Sequence, residues 1–143
     1  MINEAEVRRI FDEALATQES AFGKFFLAKF LQLSINYSND VCHVSLPVKP
    51  HLYNPLGSLH GGVMALVMDI SMGHLINHVI GGGGSTLEMK IQYMHPITTG
   101  AVRFEGHFMK KGRNVSFLES RAFNDAGKLV GMATSTWKMP ANG

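Results

Sequence analysis

The chain has 143 residues, of which 45% are hydrophobic and 17% charged, and this balance is typical of one globular domain. Its formal net charge of +2, with Lys and Arg scattered among acids, lacks the clustered basic surface of a nucleic-acid-binding protein. Cys42 is the only thiol, which excludes an internal disulfide. Residues 1–20 mix acids with bases and lack the apolar stretch of a signal peptide, so we expect a cytoplasmic protein.

The N-terminal segment, residues 1–30, is predicted to be helical. Apolar residues recur at helical spacing within residues 3–16, and Asn3 followed by Glu6 is typical of a helix N-terminus. This pattern predicts an amphipathic first helix. Residues 21–30 are rich in Phe without a clean period, and are predicted to form a short helix or a loop packed by its aromatic rings.

Six later segments alternate between apolar and polar residues with a period of two, which is typical of half-buried strands. They comprise residues 31–37, 42–48, 87–93, 102–108, 116–122 and 128–138. Turn residues at 37–40 predict that the first two strands form a hairpin. Short polar turns at 110–114 and 124–128 predict that the last three strands form an antiparallel meander.

The longest apolar element, residues 62–80, is predicted to be one long helix. Four polar residues make it a poor membrane span: Asp69, His74, Asn77 and His78. A sheet with one apolar face must bury that face, and no other long apolar element is present. The sequence therefore predicts an α+β domain in which one antiparallel sheet packs on one long helix. The glycines at 81–84 lack the Lys of a phosphate-binding loop and predict a return loop.

Asp69 needs an explanation, because an ionised carboxylate in an apolar helix is costly unless it is paired, hydrogen-bonded or retained for a task. It either faces solvent or bonds a backbone group, or it is a general base or nucleophile. The sequence His60-Gly61-Gly62 lies where a loop leads into the helix, whose first N–H groups lack partners. Gly61 is accordingly either an oxyanion-hole donor or part of a tight turn into the helix.

Asp69 and Gly61 are separated by eight residues, which corresponds to roughly 12 Å along a helix that rises about 1.5 Å per residue. A single chain is therefore not expected to offer both groups to one carbonyl. If both act on the same substrate, a symmetric partner supplies one of them, which predicts a homodimer with two sites at its interface.

Four motifs occur together between residues 54 and 96: Asn54-x-x-Gly57-x-x-His60-Gly61-Gly62, Asp69-x-Ser71-x-Gly73, Thr86 at the start of a strand, and Tyr93-Met-His-Pro96. Together, over residues 54–138, they resemble the hotdog-fold acyl-CoA thioesterases of the phenylacetate-pathway (PaaI-like) family. The resemblance implies one hotdog domain over residues 1–143, with the sheet wrapped around the central helix. It also implies homodimers that often pair into homotetramers, and hydrolysis of an acyl-CoA to free acid and CoA without metal or cofactor.

The resemblance also implies roles for individual residues. The Gly61 N–H would polarise the thioester carbonyl, with His60 shaping that loop, and Asn54 would orient the carbonyl or the water. Asp69 of the opposite subunit would be the general base or the nucleophile, a choice that the family leaves open. Thr86 would hold the attacking water or the carboxylate.

Three basic residues on the turn after the fourth strand are candidates for contacting CoA phosphates, or else form a solvated turn: Lys110, Lys111 and Arg113.

His95 departs from the family pattern, where relatives often carry Arg or Lys, and this bears on how the CoA end is held. His74 and His78 lie four residues apart, but no third ligand follows at a suitable spacing, so no metal site is predicted.

Two other functions fit the same fold. One is a hydratase or dehydratase of an acyl thioester with His60 as acid and base, and the other is a non-catalytic acyl-CoA-binding module. Acyl specificity depends on how the methionine-rich helix packs with four aromatic residues, which the sequence does not determine: Phe22, Phe25, Phe26 and Phe30.

Overall fold

The computed structural model describes residues 1–141, which form one six-stranded antiparallel sheet and a long central helix. In chain order the elements are α1 (Glu4–Thr17), α2 (Phe26–Phe30), β1 (Ser34–Ser38), β2 (Val41–Pro47), a 3₁₀ turn (Pro50–Leu52), α3 (Gly61–Ile80), β3 (Ser85–Tyr93), β4 (Ala101–Lys110), β5 (Val115–Phe123) and β6 (Leu129–Lys138). This is the predicted α+β hotdog architecture, with α3 as its central helix and α1 as its N-terminal helix.

The strands are ordered β1-β2-β4-β5-β6-β3, and every neighbouring pair is antiparallel. The predicted first hairpin is confirmed, and its turn residues Asn39 and Asp40 take φ values of 51° and 57°, as a two-residue hairpin requires. The predicted meander of the last three strands is also confirmed. The position of β3 was not predicted: it pairs with β6 and forms one edge of the sheet.

Two strands differ in detail from the prediction. β1 begins at Ser34 and not at Leu31, because Gln32 takes a φ of 56° and interrupts the extended backbone. In β3, a bulge directly after Thr86 makes Leu87 the extra residue. The side chain of Leu87 is therefore exposed and does not continue the inward-facing row of this strand.

The core lies between α3 and the inner face of the sheet. Its largest fully buried side chains on the sheet are Val44, Leu46, Val102, Phe104, Leu118 and Val130, and those on α3 are Val67, Met68, Met72, Leu75 and Ile76. The α3 helix is long and apolar enough to cross a membrane, but here it packs against β2, β3, β4 and β5. Cys42 is fully buried in this core, and burial raises the pKa of its thiol to about 12.

Two buried serines inside this core are paired, whereas the indole Nε1 of Trp137 is buried without a hydrogen-bond partner among residues 1–141. The Ser71 hydroxyl on α3 lies 2.8 Å from the Ser120 hydroxyl on β5 and donates to the Met68 carbonyl at 2.7 Å. Both serines are fully buried, so these contacts remove the penalty of leaving their hydroxyls unsatisfied.

Gly106 of β4 marks the closest approach of α3 to the sheet. A Cβ atom at this position would overlap the backbone carbonyl of Ser71, and neither backbone can move away without opening the core. We expect Gly106→Ala to lower the free energy of unfolding by about 3 kcal/mol, measured by urea denaturation. Gly131→Ala on β6 is the matched control, since its Cβ would meet only side-chain ends and no backbone closer than 3.4 Å: the Met64 and Met68 methyls lie at 3.2 Å and can shift by rotation about side-chain bonds. Equal losses in the two variants would contradict the prediction.

The N-terminal helix is capped as predicted and packs against α2. The Glu6 N–H donates to the Asn3 side chain at 3.1 Å, and Ile10 and Ala14 are buried. The Glu6 carboxylate accepts from Lys49 at 2.9 Å, and this hydrogen bond lowers the pKa of Glu6. The Phe-rich segment contains a turn followed by the short helix α2, which resolves the alternative that the sequence left open.

Candidate active site

Asp69 turns its carboxylate toward the start of the edge strand β3. The Thr86 hydroxyl donates a hydrogen bond to Asp69 Oδ1 at 2.6 Å, and Asp69 is half-buried. Thr86 lies opposite Trp137 of β6, on the face of the strand that meets α3. The carboxylate is thus held by a side chain from another element, which explains how an acid is tolerated in this helix.

A cavity of about 580 Å³ adjoins this carboxylate, and both Asp69 and Thr86 line it. Its other walls are mostly apolar and include Phe22, Phe25, Leu66, Ile70, His74 and Trp137. A pocket of this kind, with one convergent polar pair, suits a ligand that has an apolar body and a reacting polar group.

Gly61, the first residue of α3, presents an unused donor. The Gly62 N–H donates to His60 Nδ1 at 2.8 Å, so His60 caps the helix with its ring. Within residues 1–141 the Gly61 N–H has no acceptor. A helix N-terminus with a free N–H attracts negative charge, so Gly61 can stabilise charge that develops on a ligand oxygen.

Tyr93, at the end of β3, holds Gly61 in place. Its hydroxyl donates to the Gly61 carbonyl at 2.6 Å, and a Cβ on Gly61 would lie 3.1 Å from the Tyr93 ring. Burial raises the pKa of Tyr93, which keeps the hydroxyl protonated as a donor. The contact of Tyr93 with Gly61 was not predicted, and Tyr93 appeared only as part of a motif. No local sequence pattern indicates that this ring reaches the start of a helix.

Asn54 uses most of its side chain within its own loop. Its Oδ1 accepts from the N–H groups of Leu56 and Ser58 at 2.9 and 3.2 Å, and its Nδ2 donates to the Ser58 hydroxyl at 3.2 Å. One amide hydrogen of Nδ2 remains for a ligand. Asn54 and Gly61 line a second cavity of about 290 Å³, together with Tyr93 and His95.

The chain therefore carries two separate half-sites. Asp69 and Thr86 lie at the start of β3 and line the first cavity, whereas Gly61 and Asn54 lie near its end and line the second. Neither cavity contains both Asp69 and Gly61. This agrees with the separation expected from their spacing along one helix.

The predicted phosphate-binding residues lie in neither half-site. Lys111 and Arg113 line a third cleft of about 730 Å³, to which Lys110 does not contribute. Lys138, which the sequence did not single out, joins them there and pairs with Ser85 directly before Thr86. The basic cleft thus borders the start of β3.

The two helix histidines face different elements. His78 stacks on Tyr37 with ring centroids 4.0 Å apart, whereas His74 Nε2 accepts from the Gly23 N–H at 2.8 Å. Across residues 1–141, no three His, Cys, Asp or Glu side chains are grouped so that they could hold a metal ion. The contact of His74 with Gly23, which lies 51 residues away in sequence, was not predicted.

Comparisons with known proteins identify the family of this chain. Residues 56–131 match the family model described as the thioesterase superfamily. Acyl-coenzyme A thioesterase 13 of Homo sapiens is 30% identical over 113 residues, which cover 77% of this chain and 79% of that protein.

Two solved structures are similar over most of their length. A Bacillus halodurans protein crystallised with CoA has a TM-score of 0.86 and 26% identity, covering 98% of this chain and 96% of that one. A phenylacetic acid degradation-related protein of Ralstonia eutropha has a TM-score of 0.75 and 23% identity, over 91% and 99% of the two chains, and supports the fold alone. Because the family model spans more than half of the sequence, this chain belongs to the thioesterase superfamily.

Proposed function

We propose that the protein is an acyl-CoA thioesterase of the PaaI-like type, which hydrolyses an acyl- or aryl-acyl-CoA to the free acid and CoA. The observation that carries this proposal is the Asp69–Thr86 hydrogen bond beside an apolar cavity of acyl size. The thioesterase named among the relatives and the neighbour crystallised with CoA support the substrate class. The PaaI-like type rests on the motif set from Asn54 to Pro96. A cytoplasmic enzyme without metal or cofactor remains the expectation from the sequence.

The two half-sites are proposed to meet in a homodimer that pairs β3 with β3 of a second copy. β3 is an edge strand with a free row of backbone groups, and edges of this kind invite pairing. Thr86 and Tyr93 both bond to α3, so they share the inner face of the strand. An antiparallel pairing about a two-fold axis near Met89 brings Thr86 of one copy close to Tyr93 of the other.

In this dimer each site combines groups from both chains. The Gly61 N–H of one chain polarises the thioester carbonyl, and the remaining Asn54 N–H orients that carbonyl or the water. As a general base, Asp69 of the other chain takes a proton from water while the water oxygen bonds to the carbonyl carbon; the C–S bond then breaks and the CoA thiolate receives that proton. As a nucleophile, an Asp69 oxygen bonds to the carbonyl carbon and displaces the CoA thiolate, and water then hydrolyses the acyl-Asp69 anhydride to the free acid, restores the carboxylate and supplies the proton of the CoA thiol. Thr86 fixes the carboxylate, and His60 shapes the loop that presents Gly61.

The basic cleft is proposed to hold the phosphates of CoA. Lys111 and Arg113 line it, and Lys138 adds a third positive charge next to the start of β3. Arg can bind a phosphate through two parallel hydrogen bonds, and Lys acts as a point charge. Lys110 is exposed at the end of β4 and contributes only to the surrounding potential. Pairing of dimers into tetramers remains a prediction from the resemblance.

The test of this function is release of free CoA thiol from phenylacetyl-, benzoyl- and straight-chain acyl-CoAs, with hydration of an enoyl-CoA assayed in parallel. We expect thiol release from at least one substrate and no hydration, because His60 Nδ1 is engaged by the Gly62 N–H. Hydration without thiol release would favour the hydratase. Binding without any product would favour the non-catalytic module.

Thr86→Val is expected to lower kcat by about 10- to 100-fold, because loss of one hydrogen bond to a charged group costs roughly 1.5–3 kcal/mol. KM should change little, since the cavity keeps its shape. Thr86→Ser retains the hydroxyl and should stay within about twofold of wild type. Steady-state kinetics with the best substrate measure both effects. Equal activities of the two variants would show that the Thr86 hydroxyl has no role in catalysis.

A further inference from the structure

Residues 20–25, here called the aromatic wall, form one side of the cavity that Asp69 lines. Four wall residues line the cavity: Ser20, Ala21, Phe22 and Phe25. The wall is neither helix nor strand. It extends from α3 to the glycine loop at residues 81–84, where Phe22 Cζ would lie 3.4 Å from a Cβ on Gly83. Its position therefore sets how much room the cavity offers to an acyl group.

His74 is the residue of α3 that holds this wall. Its Nε2 accepts from the Gly23 N–H at 2.8 Å, which is the one hydrogen bond between wall and α3 within residues 1–141. The Phe22 ring packs edge-on against the imidazole at 4.9 Å, and the Phe25 ring lies at 5.9 Å. The remaining wall hydrogen bonds are local, such as that from the Lys24 N–H to the Ala21 carbonyl at 3.0 Å.

This contact requires a neutral imidazole. A backbone N–H only donates, so His74 Nε2 must be the acceptor and the ring proton must lie on Nδ1. Protonation of the ring would place a second hydrogen on Nε2, directed at the Gly23 N–H. The hydrogen bond would then be replaced by repulsion between two donors.

Resting on the proposed thioesterase function, we propose that His74 is a positioning residue that sets acyl-chain selectivity, by holding the aromatic wall while neutral and releasing it when protonated. With the wall held, the cavity favours compact apolar acyl groups, aryl-acyl groups included. With the wall released, long straight chains gain access. His74 contacts the wall and does not touch the reacting atoms.

The surroundings of His74 place the release on the acid side. Burial is the largest influence and lowers the pKa of His74 below its ordinary 6.5, while the Ile70 backbone and the Asp69 carboxylate oppose this shift. The charged groups near the wall are Lys24 and Glu19, which pair with each other at 3.8 Å on its exposed side. From the sheet, the cavity is lined by Trp137 of β6, which carries no charge. A lowered pKa means that the wall is held at neutral pH and released only as the pH falls below the ordinary histidine range.

Three variants test this inference. His74→Gln offers an amide oxygen as acceptor without titrating, and His74→Leu removes the acceptor with little change in volume. His78→Gln is the matched control, because the same substitution on the same helix affects only the stack on Tyr37. The measurement is the ratio of kcat/KM for phenylacetyl-CoA to that for palmitoyl-CoA, between about pH 8 and about pH 5.

We expect the wild-type ratio to fall about tenfold toward acid, mainly through a lower KM for palmitoyl-CoA as the wall is released. The ratio should be independent of pH in His74→Gln, low throughout in His74→Leu, and like wild type in His78→Gln. A wild-type ratio in His74→Leu, or a wild-type pH profile in His74→Gln, would overturn the inference.

Amide hydrogen exchange of the peptide that contains Gly23 tests the same contact without turnover. We expect exchange about tenfold faster in His74→Leu than in His74→Gln, and equal rates would overturn the inference whatever the activity. Absence of hydrolysis in wild type would instead overturn the proposed function. Selectivity is then measured as the ratio of the affinities for the two acyl-CoAs. Binding is monitored by the fluorescence of Trp137, which is the single Trp and lines the cavity. Equal affinity ratios in His74→Gln and His74→Leu would overturn the inference.

Discussion

Asp69→Asn is expected to lower kcat for the best acyl-CoA by about 10³-fold, which is within the range contributed by a general base or nucleophile. An amide can neither take a proton from water nor attack a carbonyl carbon. Its oxygen still accepts from the Thr86 hydroxyl, so the local structure should be retained. KM and the dimer should therefore change little, and the loss should reside in the chemical step.

The loss is measured by release of CoA thiol, with circular dichroism and gel filtration to verify fold and assembly. Asp12→Asn is the matched control, since it makes the same substitution at an exposed acid of α1 and should remain fully active. Retained turnover in Asp69→Asn would exclude Asp69 from the chemistry. In rapid mixing, CoA release that precedes free acid indicates a covalent intermediate on Asp69, whereas simultaneous release favours general-base catalysis.

Mixed dimers of Asp69→Asn and Gly61→Pro chains are expected to regain about a quarter of wild-type activity, although each variant alone is nearly inactive. In a heterodimer with shared sites, one site has both substitutions and the other has neither. Random pairing makes about half of the dimers heterodimers, each with one intact site of two. The Pro removes the Gly61 N–H, and the extended backbone of His60, with ψ of 131°, accommodates a following proline.

The mixture is prepared by co-expression with two tags and assayed beside both parents. The heterodimer purified through both tags has one intact site of two, so it should reach about half of wild-type activity. Because a Pro side chain at this position would approach the Tyr93 ring, the fold of Gly61→Pro must first be verified by circular dichroism. A mixture of Asp69→Asn with Thr86→Val is the control, since both changes affect the same half-site and should give no recovery. If the activity of the Asp69→Asn and Gly61→Pro mixture is no greater than that of either parent, the proposal that the two chains share each site is wrong.

The secondary structure could be predicted because its signals are local. Alternation of apolar and polar residues indicates which face of a strand is buried, and the Asn39-Asp40 turn determines a hairpin through its own backbone preferences. The Asn3 cap is likewise a contact over three residues. The fold class follows from these local signals, because one apolar helix was available to cover one apolar sheet face.

The candidate residues were also recognisable from local features. His60, Gly61 and Asp69 belong to one turn and one helix, so the separation of about 12 Å between Gly61 and Asp69 follows from helix geometry. The roles expected of these residues come from the resemblance and stay predictions. The role of Asn54 in its own loop was not foreseen, because an amide can bond either a ligand or its neighbouring backbone, and the sequence does not distinguish these alternatives.

Tertiary structure alone decided the contacts between distant segments. Thr86 bonds Asp69 across 17 residues, Tyr93 bonds Gly61 across 32, and Gly23 bonds His74 across 51. The first two contacts depend on β3 lying at the edge of the sheet beside β6, and the third depends on residues 20–25 folding back onto α3. Periodicity determines which side of a strand is apolar but not which strands lie beside it. Any of these strands could place its apolar side against α3, so the alternating pattern alone does not determine their order in the sheet.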